Sequence, residues 1–170
     1  MRLRRFDRSG MAMRAALLLS APSAVAEDED HAHSHIAKVG SIRIVHAWAR
    51  AASAGDDTLV FMDIENQGEA DRLMGGRTEV GRSVEIVGLT NEGGQIAMEP
   101  VGALDVPPGD FPLDPGGVGL AIRGLNAALE KGNDFELAVE FQKAGAVTLD
   151  VEIEAADATQ HSHDGHEHQE

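Results

Sequence analysis

Between about residues 40 and 154 the chain alternates between apolar and polar residues in short runs, separated by glycine, proline, asparagine and aspartate. Alternation with a period of two is typical of β-strands that bury one face, and the separating residues are those that favour turns. The clearest run places Phe135, Leu137, Val139 and Phe141 on one face. We predict strands at residues 41–48, 58–65, 83–89, 95–98, 111–113, 118–122, 135–141 and 147–153.

Turn signals at this spacing are typical of a small all-β domain, either a β-sandwich or a Greek-key barrel. We assign residues 40–154 to this domain. The flanking segments at residues 27–39 and 155–170 are small, polar and rich in histidine. We expect both segments to be flexible tails.

The first 26 residues have the composition of an export signal. Five arginines precede a short apolar run that starts at Ala15, and Ala24-Val25-Ala26 fits a small-x-small cleavage site. The apolar run is too short to span a bilayer. We therefore predict a cleaved signal peptide at residues 1–26, a periplasmic protein, and no stable insertion into the membrane.

The charge of the chain excludes some partners and chemistries. Acidic residues outnumber basic ones 29 to 14, and removal of residues 1–26, with five Arg and one Asp, changes the formal charge from −15 to −19. Such a surface repels nucleic acid. The absence of cysteine excludes disulfides, thiolate metal sites and cysteine nucleophiles. Because we find no catalytic motif either, we predict that the protein is not an enzyme.

Seven of the eight histidines lie in two short clusters near the ends of the chain. These are His31, His33, His35, His161, His163, His166 and His168. Histidines at alternate positions project to one side of an extended chain, and short His-rich tracts are a recognised sign of metal binding. Imidazole with carboxylate suits Cu(II), Zn(II) or Ni(II), with Cu(II) bound most tightly. The alternative is a solubilising acidic tail that contains histidine by composition alone.

The body of the chain resembles the PCu(A)C-type periplasmic copper chaperones. The matching segments occur in order over about residues 40–153 and include Val45-His46-Ala47-Trp48-Ala49-Arg50-Ala51, Ile64-Glu65-Asn66-Gln67-Gly68, Met98-Glu99-Pro100, Leu113-Asp114-Pro115-Gly116-Gly117 and Phe141-Gln142-Lys143-Ala144-Gly145. The resemblance implies a cupredoxin-like β-sandwich. It also implies copper as cargo and, as acceptor, a cuproprotein such as a component of cytochrome oxidase assembly.

The copper ligands that the resemblance implies are mostly absent. The family pattern has two histidines and a methionine at the positions of Val87, Gly119 and Ala121, and a further methionine that is retained as Met98. One thioether is a poor copper site, because soft Cu(I) requires several such donors. We expect Met98 to be a packing residue and only a weak candidate ligand.

His46, the one histidine inside the domain, is also a weak candidate ligand. A lone histidine near an aromatic residue such as Trp48 is more often a hydrogen-bonded structural residue. An N-terminal histidine brace is a further alternative, but it requires trimming beyond the predicted first residue, Glu27.

We therefore predict a periplasmic metal-binding protein, a copper chaperone or buffer that captures ions mainly through its histidine-rich tails. Cu(II) suits the tails best, Cu(I) is a second form, and zinc or nickel is the alternative cargo. A metal-independent acidic interaction module is the competing function.

Overall fold

The computed structural model describes residues 36–93 and 95–161, and within these ranges the chain forms strands and turns without any helix. Accordingly, no helix in the described part is long and apolar enough to cross a bilayer. The strands of this part are β1 (Ile36–Val39), β2 (Ile42–Arg50), β3 (Thr58–Asn66), β4 (Asp71–Arg77), β5 (Ser83–Glu92), β6 (Gln95–Pro100), β7 (Leu104–Val106), β8 (Gly109–Leu113), β9 (Val118–Arg123), β10 (Asp134–Phe141) and β11 (Gly145–Glu154).

Seven of these strands close into a barrel. Around the ring the order is β2, β11, β10, β4, β5, β9 and β3, and pairing between β2 and β3 completes the circle. β11 runs parallel to β2, while the other neighbours in the ring are antiparallel. The shorter strands β1, β6, β7 and β8 extend individual ring strands. The prediction of an all-β domain is confirmed.

Strict alternation along the strands produces two separate apolar layers. The barrel interior is filled by one face of each strand, for example by Val60 and Met62 of β3 and by Leu120 of β9. The intervening residues point the opposite way, because successive side chains of a strand lie on opposite faces. Six of them form a second layer, here called the outer cluster, which consists of Trp48, Leu59, Phe61, Val87, Leu89 and Ala121.

Parts of both predicted tails belong to the folded domain. Residues 36–39, which we assigned to the N-terminal arm, form β1 and pair with β2. Residues 155–161, which we assigned to the C-terminal tail, lie against the barrel: Ala158 packs on the outer cluster, and its carbonyl accepts a hydrogen bond from Arg50 Nε at 2.9 Å. We call residues 155–161 the C-terminal segment.

Candidate metal centre

The positions at which the family pattern has copper ligands lie side by side in the structure. Val87 of β5 is paired directly with Gly119 of β9, and Ala121 follows two residues later on the same face. Met98 of β6 is paired with Leu89 of β5. Three of the four positions carry no donor atom in their side chains, so the ligand set that the resemblance implies is absent from these strands.

The space around these positions is filled by the outer cluster. The Phe61 ring lies so close to Gly119 that a Cβ atom at that glycine would be 2.9 Å from Phe61 Cε1. Trp48 stacks at a tilt on Phe61, with 4.9 Å between ring centroids, and the Arg50 guanidinium lies 5.5 Å from the centroid of Phe61. Met98 is partly buried against the same cluster. Apolar packing therefore replaces donor atoms here.

His46 lies on β2 in an unusual backbone conformation. Its φ angle is +52°, and it is the one non-glycine residue of the described chain with a positive φ. The pairing of β2 with β3 shifts register between Val45 and Trp48, so His46 occupies a β-bulge. Bulges re-aim side chains, and left-handed conformations of bulky residues concentrate at functional sites. The half-exposed imidazole contacts Asp63, with 3.0 Å between Nδ1 and Oδ2.

His161 ends the C-terminal segment beside two glutamates of β11. Its Nδ1 atom is 3.2 Å from Glu154 Oε1, and its Nε2 atom is 3.5 Å from Glu152 Oε2. The side chain of His161 is 11% exposed and that of Glu154 is 3% exposed. Glu152 and Glu154 are two residues apart and therefore share one face of the strand. A histidine of the predicted tail thus lies against the barrel, next to two carboxylates.

The two described histidines face one another across a cleft. Their ring centroids are 6.2 Å apart. The cleft has a volume of about 370 Å³, and its lining includes His46, Trp48, Asp63, Asp114 and His161. We call it the histidine cleft. Its carboxylates, together with those flanking His161, make it a favourable position for a cation.

The structure brings together only some of the predicted metal ligands. His46 and His161 meet at the cleft, whereas Met98 lies in the outer cluster. His31, His33, His35, His163, His166 and His168 lie outside the described residues, and so they remain predictions. Within residues 36–93 and 95–161, no three His, Asp or Glu side chains are gathered in a ready-made metal site.

The carboxylates beside the two histidines could not be predicted from the sequence. Asp63, Glu152 and Glu154 read as the polar positions of alternating strands, which is the ordinary pattern for a solvent-facing side. Only the neighbouring positions of β2, β3 and β11 in the barrel bring them to the two histidines.

A family model described as "Putative lipoprotein LpqE-like" matches residues 42–153, which span the barrel from β2 to β11. No curated protein sequence matches the chain.

Solved structures of PCuAC domains resemble the barrel. The copper-bound PCuAC domain from PmoF2 shares 30% identity with a TM-score of 0.59, over 71% of this chain and 98% of that domain. The apo PCuAC domain from PmoF1 shares 30% identity with a TM-score of 0.60, over 71% of this chain and 99% of that domain. The Cu(I) form of DR1885 from Deinococcus radiodurans shares 20% identity over 75% of this chain and 85% of that one, with a TM-score of 0.53, and supports the fold alone. The predicted cupredoxin-like architecture is therefore confirmed.

Proposed function

Since this chain belongs to the LpqE-like family and its barrel is a PCuAC-type domain, we propose that it is an exported copper-binding protein that acts as a chaperone or buffer. The observation that carries the proposal is the meeting of His46 and His161 on a barrel whose 30% identical relative is a copper-bound domain. Because the usual ligand positions are apolar, imidazoles outside the outer cluster bind the metal.

The proposed ligands are mainly the two histidine clusters. They comprise His31, His33, His35, His161, His163, His166 and His168, with His46 as a contributor from the barrel. Neutral imidazole is the ligating form, so binding weakens as pH falls through the histidine range. Because the copper ion is held by several imidazoles that can exchange, an acceptor protein can replace them one at a time and so take over the ion. The barrel serves as scaffold and docking surface, and no catalytic step is required.

Copper is the proposed cargo and the periplasm the proposed compartment. Cu(II) suits a set of imidazoles and carboxylates and heads the general affinity order of divalent ions, ahead of zinc and nickel. Cu(I) is the second form. The proposed acceptor is a cuproprotein such as a component of cytochrome oxidase assembly.

Calorimetric titration of the exported form with Cu(II), Cu(I), Zn(II) and Ni(II) tests the proposal. We expect Cu(II) to bind most tightly, and replacement of the seven clustered histidines by serine to weaken Cu(II) binding at least 100-fold. A matched control changes carboxylates of the same tail (Asp164→Asn, Glu167→Gln, Glu170→Gln) and keeps every imidazole. Copper binding that is unchanged after the serine replacements would contradict the proposal.

A second candidate function is a metal-independent interaction module. The observation that favours it is the replacement of three ligand positions by Val87, Gly119 and Ala121 within an acidic chain. This function predicts that the exported form binds Cu(II) no more tightly than a variant in which all eight histidines are replaced by serine.

A further inference from the structure

We propose that His46 and His161, which line the histidine cleft, form a divalent copper site with Glu152 beside His161, and that Asp63 and Glu154 act as positioning residues for the two imidazoles. This inference rests on the proposed function, since it assigns one of the ions to a specific place on the barrel. It differs from binding by the tails alone because two of the three ligands belong to strands β2 and β11.

Asp63 sets the orientation of the His46 ring. A carboxylate can only accept a hydrogen bond, so contact with Asp63 Oδ2 at 3.0 Å makes Nδ1 the protonated nitrogen of the neutral ring. The other nitrogen, Nε2, is then the ligating atom. Histidine ligands characteristically donate their second ring N–H to a carboxylate, which fixes the ring and increases its basicity.

His161 also lies between two carboxylates, although its Nδ1 atom contacts Glu154 without hydrogen-bond geometry. Glu154 lies 3.2 Å from Nδ1, and Glu152 lies 3.5 Å from Nε2. Two donors bound to one ion at about 2.0–2.2 Å are roughly 3–3.7 Å apart at bond angles of 90–120°. The separation of 3.5 Å between Nε2 and the Glu152 oxygen lies within this range, so the two atoms can approach one cation together.

The distance between the imidazoles also fits one shared ion. With metal–nitrogen bonds of about 2.0–2.1 Å, the centroids of two ligating rings lie roughly 4.5 Å apart at right angles and about 6.4 Å apart when opposed. The observed 6.2 Å falls inside this range, near the opposed arrangement. The described residues do not present three gathered donors, so the proposed site requires the side chains to move when the ion binds.

The backbone supplies an independent reason to assign a role to His46. A left-handed conformation at a bulky residue costs about 1–3 kcal/mol and persists where the surroundings impose it. Here the bulge in β2 imposes it, and the result is an imidazole held beside Asp63 at the cleft. Histidine is one of the few non-glycine residue types enriched in this conformation, so the bulge can carry an imidazole here.

A metal ion in this site would join the C-terminal segment to β2. The segment is already attached by Arg50 Nε and the carbonyl of Ala158, and His161 follows three residues later. In the sequence His163, His166 and His168 follow His161 within seven residues. We expect the cleft to receive copper from these histidines.

The test uses the exported chain with six histidines replaced by serine (His31, His33, His35, His163, His166 and His168), so that His46 and His161 remain. We expect one Cu(II) per chain, with an electron paramagnetic resonance spectrum of two coordinated nitrogens. In this background His46→Asn, which tolerates the left-handed backbone, and His161→Gln are each expected to weaken Cu(II) binding at least tenfold. Asp63→Asn should weaken it about 10–100-fold.

The exposed carboxylate of Asp105, which is 84% exposed, supplies the control variant Asp105→Asn, and this variant should bind as the parent does. If the wild-type chain binds Cu(II) and the six-serine chain does not, this inference is wrong while the proposed function stands. If neither chain binds Cu(II), both are wrong. Binding that survives His46→Asn and His161→Gln together also overturns the inference.

Discussion

Val87 and Gly119 face each other as paired residues of β5 and β9, at two positions where the family pattern has histidine. Val87 is fully buried, and the Phe61 ring occupies the space that a side chain at Gly119 would need. The strands thus hold these two positions side by side, on the face of the outer cluster, and neither position carries a donor atom in its side chain. Restoring a single ligand is therefore expected to damage the packing without restoring copper binding.

Val87→His tests this expectation directly. The imidazole would be buried in an apolar cluster without an assigned partner, and burial of an unsatisfied polar group costs about 1–3 kcal/mol. We expect a decrease of that size in the free energy of unfolding, measured by urea denaturation, with no gain in Cu(I) affinity. Thr90→His, on an exposed position of the same strand, is the control and should change stability little. A stable Val87→His protein with tighter Cu(I) binding would contradict this account of the outer cluster.

Gly119→Ala tests the role of the Phe61 ring. The added Cβ would lie 2.9 Å from Phe61 Cε1 and 3.2 Å from the Val60 carbonyl oxygen. Overpacking of this kind typically costs about 1–3 kcal/mol. Combination with Phe61→Leu should recover part of the loss, so that a double-mutant cycle by thermal or urea unfolding shows favourable coupling. Additive effects of the two changes would mean that the ring does not limit the space at Gly119.

Arg50→Gln tests the attachment of the C-terminal segment. It removes the hydrogen bond from Nε to the Ala158 carbonyl and the contact of the guanidinium with Phe61. We expect faster hydrogen exchange at the Ala158 amide, which donates to the Ala155 carbonyl, and up to about tenfold weaker Cu(II) binding at the cleft. Arg43→Gln is the control, because Arg43 lies on the same strand but pairs with Glu65. Equal exchange rates in both variants would exclude the role assigned to Arg50.

Asp71, the first residue of β4, makes the free energy of unfolding depend on pH. Burial alone raises the pKa of its carboxyl, but hydrogen bonds from the backbone N–H groups of Lys143, Arg72 and Ala144 outweigh burial and lower that pKa. The folded form therefore binds its proton less readily than the unfolded chain, whose aspartate titrates at about 3.9. The resulting stabilisation is complete above about pH 4 and is lost as pH falls through the lower folded pKa.

Asp71→Asn should consequently cost about 1.5–3 kcal/mol of unfolding free energy at pH 7, since hydrogen bonds to a charged acceptor are of that strength. The difference from the wild-type protein should shrink as the pH is lowered below 4. Asp105→Asn serves as the exposed comparison. Urea unfolding at several pH values measures the effect, and a difference that stays constant down to low pH would contradict the assignment.

Strands with regular alternation could be predicted from the sequence, and irregular ones could not. The run at residues 135–141 is β10 almost to the residue. β4 was missed because Gly75 and Gly76 interrupt its pattern. The structure explains the second glycine: a Cβ at Gly76 would lie 2.7 Å from the Ala138 carbonyl oxygen of the neighbouring strand. In the sequence, a glycine that allows two strands to approach closely cannot be told from a glycine that forms a turn.

The histidine cleft could be predicted only in part. The sequence singled out His161 as a ligand of a flexible tail and His46 as a structural residue, and it contained no sign that the two meet. Their contact depends on the bulge at His46, on the parallel pairing of β11 with β2, and on a C-terminal segment that returns to the barrel. Such long-range relationships follow from topology and are not encoded in the local pattern.

The central claim is that imidazoles, and not the thioether of Met98, hold the copper. X-ray absorption spectroscopy of the copper-loaded exported chain tests this claim most directly, with Met98→Leu as the matched variant because it conserves side-chain volume. We predict a first shell of nitrogen and oxygen with imidazole outer-shell scattering, no copper–sulfur contribution in either copper oxidation state, and identical spectra for the two proteins. A copper–sulfur contribution that disappears in Met98→Leu would contradict the claim.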